Sequence, residues 1–147
     1  MSDLAVNRRA HFDYEILQTY EAGIELHGFE VKAVKAGRMA LAGAFAVIRG
    51  GETWLLNAAI PPYQAANTPA EYDPLRTRRL LLHKKEIKEL IGSAAHKGLT
   101  IVPLKVYSKR GRVKLLLGLA RHKKAADKRE VLKRREADRD IRRELKS

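Results

Sequence analysis

Hydrophobic positions change period several times along the chain, and each change marks an element. Phe12, Tyr14 and Ile16 alternate with polar neighbours until Gly23 interrupts them. This is the period of two of a half-buried strand, and it predicts the first strand. Residues 24–36 place Ile24, Val31 and Val34 near one helical face, with Leu26, His27 and Phe29 blurring the stripe, and they predict a helix. Residues 44–49 and 52–57 are two short β-tolerant, apolar runs around Gly50 and Gly51, whose freedom at positive φ suits a tight hairpin turn. The segment 61–74 carries four of the five prolines together with Asn67. It is expected to cross the surface as irregular loop with at most brief strand pairing. Ile87, Leu90, Ile91, Ala94 and Ala95 follow the i, i+3, i+4, i+7, i+8 rule, with Gly98 just beyond as a stop, and predict a second helix. Residues 99–107 and 112–119 flank Ser108 to Gly111, and Val113, Leu115, Leu117 and Leu119 share one face, which predicts a second hairpin.

Five or more short, mostly antiparallel strands with inserted helices point to a mainly β fold, a curled sheet or barrel whose closure would remove exposed edges. An OB-like antiparallel barrel fits, and so does another α+β sheet. Beyond residue 119 the character changes. Residues 120–147 hold 12 basic and 6 acidic side chains and no aromatic, Gly or Pro. The expected division is a body over residues 1–119 and a basic tail over 120–147. In the tail, Ala137, Ile141 and Leu145 lie at i+4 steps with Val131 and Leu132 upstream, while Glu130 and Asp138 precede Arg134 and Arg142 by four. This stripe is thin against a net charge of +6. The tail is therefore expected to be disordered when free and helical when laid along RNA.

Charge narrows the class of partner. Lys and Arg total 30 against 17 Asp and Glu, a formal charge of +13, and a polyanion is the natural counterpart. No apolar run approaches about 18 residues and nothing at the start resembles a signal peptide, so nucleic acid is favoured over membrane. Cysteine is absent, which excludes disulfides, thiolate zinc sites and a cysteine nucleophile and suits the cytoplasm. A monomer is expected. Basic groups cluster at Arg8 and Arg9, at Arg76, Arg78 and Arg79, at Lys84 and Lys85, from Lys109 to Lys114, and through the tail. Any one cluster suits an ordinary solvated surface, but five together point to phosphate contact, with Phe12 and Tyr107 as possible platforms for unpaired bases.

Catalytic signatures are missing. His11, His27, His83, His96 and His122 include no i, i+4 pair, and no phosphate loop, dinucleotide fingerprint or serine elbow occurs. No cofactor, metal or catalytic residue is expected. Glu15, Glu21, Glu25 and Glu30 are read as solvated groups, as buried carboxylates that fix neighbouring Arg geometry, or as acceptors for a base edge. An RNA-cleaving barrel that uses Glu21 or Glu30 with His11 is the enzymatic alternative. A ribosomal or ribosome-assembly RNA-binding protein is the main non-enzymatic one.

Several strings, taken in order, resemble the SmpB (SsrA-binding) family: Asn7 to Tyr14, Tyr20 to Ile24, Gly28 to Lys32, Ala36-Gly37, Asp73 to Leu82, Gly98 to Leu104, Gly111 to Lys114, and Ala120 through Lys123 and Lys124 to Arg129. The resemblance implies an OB-like barrel that binds the tRNA-like domain of transfer-messenger RNA in the rescue of stalled ribosomes. Elongation factor Tu would be engaged indirectly through the RNA. The tail would probe the decoding region and empty mRNA channel of the 70S ribosome. It further implies that Glu21, Leu81 and Lys114 belong to the RNA-binding face with Asn7 and Arg9 nearby. Lys32, inside a matching string, and Arg76 and Arg78, inside a basic cluster, complete that set. Lys123, Lys124, Asp127, Lys128 and Arg129 would belong to the tail's decoding-centre contact. The chain departs from the family pattern at Ala33-Val34-Lys35, at His122 and at Ala126.

Overall fold

The computed structural model describes residues 2–96, 98–124, 129, 132–137 and 139. Seven strands, β1 (Ser2–Val6), β2 (Tyr14–Ile24), β3 (Phe45–Arg49), β4 (Glu52–Leu56), β5 (Arg78–Leu81), β6 (Leu99–Lys109) and β7 (Arg112–His122), run with three helices of the body, α1 (Ala10–Asp13), α2 (Gly28–Lys35) and α3 (Lys84–Ala94). The strands form one antiparallel sheet in the order β1-β6-β7-β2-β5-β4-β3. Bulges between Ile16 and Gln18 in β2 and between Pro103 and Lys105 in β6 bend the long strands. The sheet curls until β3 lies against β6, but the two make no ladder and β1 and β3 remain edges. The expected mainly β fold, a curled antiparallel sheet with inserted helices, is what the structure shows, and its OB-like barrel is a loose one that stays open.

Inside the curl, Leu55, Ile60, Leu80, Leu90, Val106, Leu115 and Leu117 form the core with α2 residues Ala33 and Val34. Ala10, Val102, Leu104 and Ala120 make a smaller cluster under α1. The β6–β7 turn needs left-handed backbone at Arg110 (φ 52) and Gly111 (φ 77), the geometry of a two-residue hairpin.

Both hairpins and α3 fall where the apolar periods predict them. Other elements differ for local reasons. Phe12 sits in the single turn α1, so the first long strand begins at Tyr14 and passes through Gly23 to Ile24. A Cβ at Gly23 would lie 3.3 Å from that of Leu81, so the glycine permits close approach within a strand. The helix expected over 24–36 starts only at Gly28, because Glu30 reaches back to the His27 amide at 2.8 Å in a capping box. The terminal strand β1 and the arginine-rich β5 have no clear alternation. Strand β7 extends to His122, beyond the expected end at 119, and residues 132–137 are helical.

Glu30 fastens α2 to β5. It is fully buried and accepts from Arg76 Nε (3.1 Å), Arg78 Nε (2.8 Å) and the Tyr72 hydroxyl (3.0 Å). Burial by itself would raise its pKa, but the Arg76 guanidinium, the His27 amide and Arg78 together lower it to about 2. Arg78 is buried as well and spends its remaining donors on the carbonyls of Ala58, Arg76 and Pro74 and on the Tyr72 hydroxyl. This corrects the expectation that Arg78 contacts RNA: the side chain has no exposed surface and its hydrogen bonds are internal. Arg76 is 27% exposed and forks onto the same carboxylate, so most of its charge is also spent inside.

Candidate RNA-binding face

Register sets the site. Leu81 of β5 pairs with Gly23 of β2, Gly23 with Lys114 of β7, Lys114 with Tyr107 of β6, and Tyr107 with Asp3 of β1. Directly opposed residues share a face of a sheet, so this row crosses the outer surface. Glu21, two residues before Gly23, lies on the same face. Its own row runs through Leu116 and Lys105 to Val6, one residue short of Asn7. The structure therefore brings Glu21, Leu81 and Lys114 onto one face of the sheet. Leu81 is 44% exposed, held over a glycine that leaves it room.

Glu21 is the hub of the row. The Tyr107 hydroxyl donates to it through a short contact, and Lys109 Nζ approaches both carboxylate oxygens at 3.3 Å. The Tyr107 hydrogen bond draws its pKa down against the opposing effect of desolvation, with help from Lys109 and Lys114. Burial, and then Glu21 itself, pushes the Tyr107 hydroxyl up, so at neutral pH the phenol donates and the carboxylate accepts. Lys105 Nζ lies 5.6 Å from the Tyr107 ring centre and 3.5 Å from Asp3. Tyr107 is only 5% exposed and cannot be the base-stacking platform expected of it; it orients Glu21 instead. What the row presents to a partner is lysine charge, one fixed carboxylate and an apolar leucine, with no nucleophile. Glu30 is sealed among arginines, which removes it from the RNA-cleaving alternative.

The other expected residues spread wider. Asn7 is half-buried and its side-chain amide donates to the Pro103 carbonyl at 2.8 Å, which ties the end of β1 to β6. Arg9 is exposed, 3.3 Å from Asp13 and 4.9 Å from the Phe12 ring. Lys32 is exposed on α2, one turn before Lys35, whose ammonium reaches the Gly111 carbonyl at 2.8 Å in the β6–β7 turn. Lys123 belongs to the body's surface, because its amide bonds Asp13 O at 2.9 Å and its ammonium His11 O at 2.6 Å. Lys124 and Arg129 are exposed, and Asp127 and Lys128 lie outside the described residues. Lys109 was missed as a neighbour of Glu21, and Lys105 as a member of its row. The signal for them was strand alternation from Lys105 through Tyr107 to Lys109. Among the described residues no three potential metal ligands cluster, and no helix is long and apolar enough to cross a membrane.

Comparison with known proteins places this geometry in a family. The SsrA-binding protein of Gloeothece citriformis is 57% identical over 140 residues, spanning 95% of this chain and 90% of that protein. That of Synechococcus elongatus is 54% identical over 143 residues, 97% and 93% of the two chains. A chain of the solved structure "tmRNA-SmpB: a journey to the center of the bacterial ribosome" superposes with a TM-score of 0.68 at 52% identity, covering 86% of this chain and 92% of its own. The family model for SmpB protein matches residues 4–147, and the chain belongs to that family.

Proposed function

We propose that this protein binds transfer-messenger RNA and serves trans-translation, the rescue of stalled ribosomes, as a binding protein without catalytic turnover in the bacterial cytoplasm. The observation that carries the reading is the outer row, where Leu81, Lys114 and a carboxylate fixed by Tyr107 and Lys109 share one exposed face. Its relatives at 57% and 54% identity are named for binding SsrA. Lys105, Lys109 and Lys114 would meet RNA phosphates. Glu21 would accept from a base edge or a ribose hydroxyl, a group that tells RNA from DNA. Asn7 would position β1 behind this face, and Arg9 and Lys32 would add charge at its margins.

The tail has a separate role in this reading. Asp127, Lys128 and Arg129, with the rest of residues 125–147, nine basic against six acidic side chains, would probe the decoding region and empty mRNA channel of the 70S ribosome, with Lys124 at the root of the tail, while elongation factor Tu is engaged only through the RNA. Because β7 runs to His122 and Lys123 is bonded to α1, the division between body and tail falls after Lys124.

A competition assay tests the first role: the full chain is titrated with the tRNA-like domain of transfer-messenger RNA against excess bulk tRNA and a ribosomal RNA fragment. Preference for the tRNA-like domain is expected; equal binding to all three would reduce the protein to a general basic RNA binder. A chain ending at Lys124 is expected to keep that preference and lose peptide tagging on stalled ribosomes. Loss of both together would refute the division.

A further inference from the structure

The outer face does not stop at Leu81. Arg79 lies two residues before it in β5, pairs across the ladder with Trp54 of β4, and receives the Glu25 amide on its carbonyl. Residues two apart in a strand share a face, so Trp54 and Arg79 extend the surface that carries Leu81 and Lys114. With Glu25, Leu26, His27 and Arg76 they line a cavity of about 350 Å³, at the small end of ligand pockets.

Its chemistry differs from that of the lysine row. The Trp54 indole N–H donates to the Arg49 carbonyl at 3.3 Å, which fixes the ring by its edge, and the half-buried residue lines the cavity. One Arg79 terminal nitrogen holds Glu52 at 2.7 Å, while its Nε is buried without a hydrogen-bond partner. His27 stacks on Phe29 with ring centres 5.5 Å apart and planes at 19°. Arg76 is committed to Glu30, and Glu25 offsets charge at the rim. Signs are therefore balanced, and phosphate attraction is weak here. A planar aromatic, a planar guanidinium and carboxylate acceptors suit a flat heterocycle with hydrogen-bonding edges. We infer that this cavity takes one unpaired base of the RNA bound on the neighbouring row, stacked on Trp54 and edged by Arg79 and Glu25. The inference rests on the RNA-binding reading above and adds a ligand class and a place for it.

Trp54 is the sole tryptophan, so its emission reports the cavity directly. Titration of the full chain with the tRNA-like domain should quench it with the same midpoint as binding. A short single-stranded oligonucleotide should quench it as well, while a blunt duplex of equal length should not. Trp54→Leu should weaken binding of the tRNA-like domain about tenfold with an unchanged salt slope, as loss of a stacked base does, and Trp54→Phe should restore most of it. Thermal melting checks that both variants fold; should Trp54→Leu fail to fold, the quenching and the Phe variant decide. Unquenched emission with RNA bound, equal quenching by duplex, or full affinity in Trp54→Leu would each overturn the inference. The oligonucleotide experiment reads the cavity alone and the competition against bulk tRNA reads the proposed function alone, so the two can fail separately.

Discussion

Glu21 and Glu30 are built from like parts and used in opposite ways. Each carboxylate accepts from a tyrosine hydroxyl and faces cations: Tyr107 with Lys109 for one, Tyr72 with Arg76 and Arg78 for the other. Yet the Glu30 side chain is 0% exposed and that of Glu21 is 36% exposed. The cation type accounts for the difference. Guanidinium forks fill several acceptors at fixed angles, so a buried charge can be fully compensated. A lysine's flexible point charge cannot do this, and it leaves the carboxylate partly in water, where a partner can still reach it. In this chain the arginines around Glu30 hold the fold and the lysines around Glu21 face outward.

The comparison breaks most directly at Glu30. Glu30→Ala strands two guanidinium groups without their acceptor, and removal of one partner from a buried ion network costs on the order of 3–5 kcal/mol. A urea unfolding midpoint that barely moves would show that the cluster contributes nothing to stability. RNA binding at a temperature where the variant stays folded should persist, because Glu30 touches no exposed residue of the row.

Acid offers a second test. The Glu30 carboxylate titrates near 2 in the folded chain against an ordinary 4.5. A depressed folded pKa contributes stability that is complete above the unfolded value and is lost as pH falls towards the folded one. Stability should therefore decline between about pH 4.5 and pH 2. The loss is at most about 3 kcal/mol by linkage, less whatever solvent at the partly exposed Arg76 screens. Glu30→Gln removes the titrating group, and its stability should be flatter across that window. An equally steep decline in the variant would assign the acid sensitivity to other carboxylates.

How much of this was legible in the sequence follows from the same contrast. Hairpins and α3 announce themselves because apolar period and glycine turns are local signals. The strand from Arg78 to Leu81 does not, since its buried residues include an arginine that only a carboxylate 48 positions away makes tolerable. For the same reason an internal arginine could be mistaken for a phosphate contact: charge is visible in a sequence, while its partner is set by the fold. Glu21, Leu81 and Lys114 were reached through family resemblance. Their cross-strand adjacency through Gly23, and the place of Lys109 beside Glu21, required the register. Trp54 gave no sign as a lone aromatic in an apolar strand, because its pairing with Arg79 depends on the missed β5.

The smallest expected effect on the fold sharpens the other half of the comparison. Lys114 is half-buried on the outer row and its charge acts on Glu21 of that face rather than on the core, so Lys114→Ala should leave folding stability within about 0.5 kcal/mol of the parent, as surface substitutions do. Its effect should instead appear in RNA binding. Each phosphate neutralised contributes about 0.7 to 0.9 to the slope of log affinity against log salt, and the variant should lose about that amount. Glu21→Gln keeps shape and hydrogen bonding but removes the negative charge that Lys109 and Lys114 share. Its melting temperature should stay near the parent's, while affinity for the tRNA-like domain falls relative to bulk tRNA as the fixed acceptor is weakened. If Lys114→Ala lowered affinity without changing the salt slope, the lysine would act by shaping Glu21 rather than by meeting a phosphate, and the phosphate contacts of the row would fall to Lys105 and Lys109.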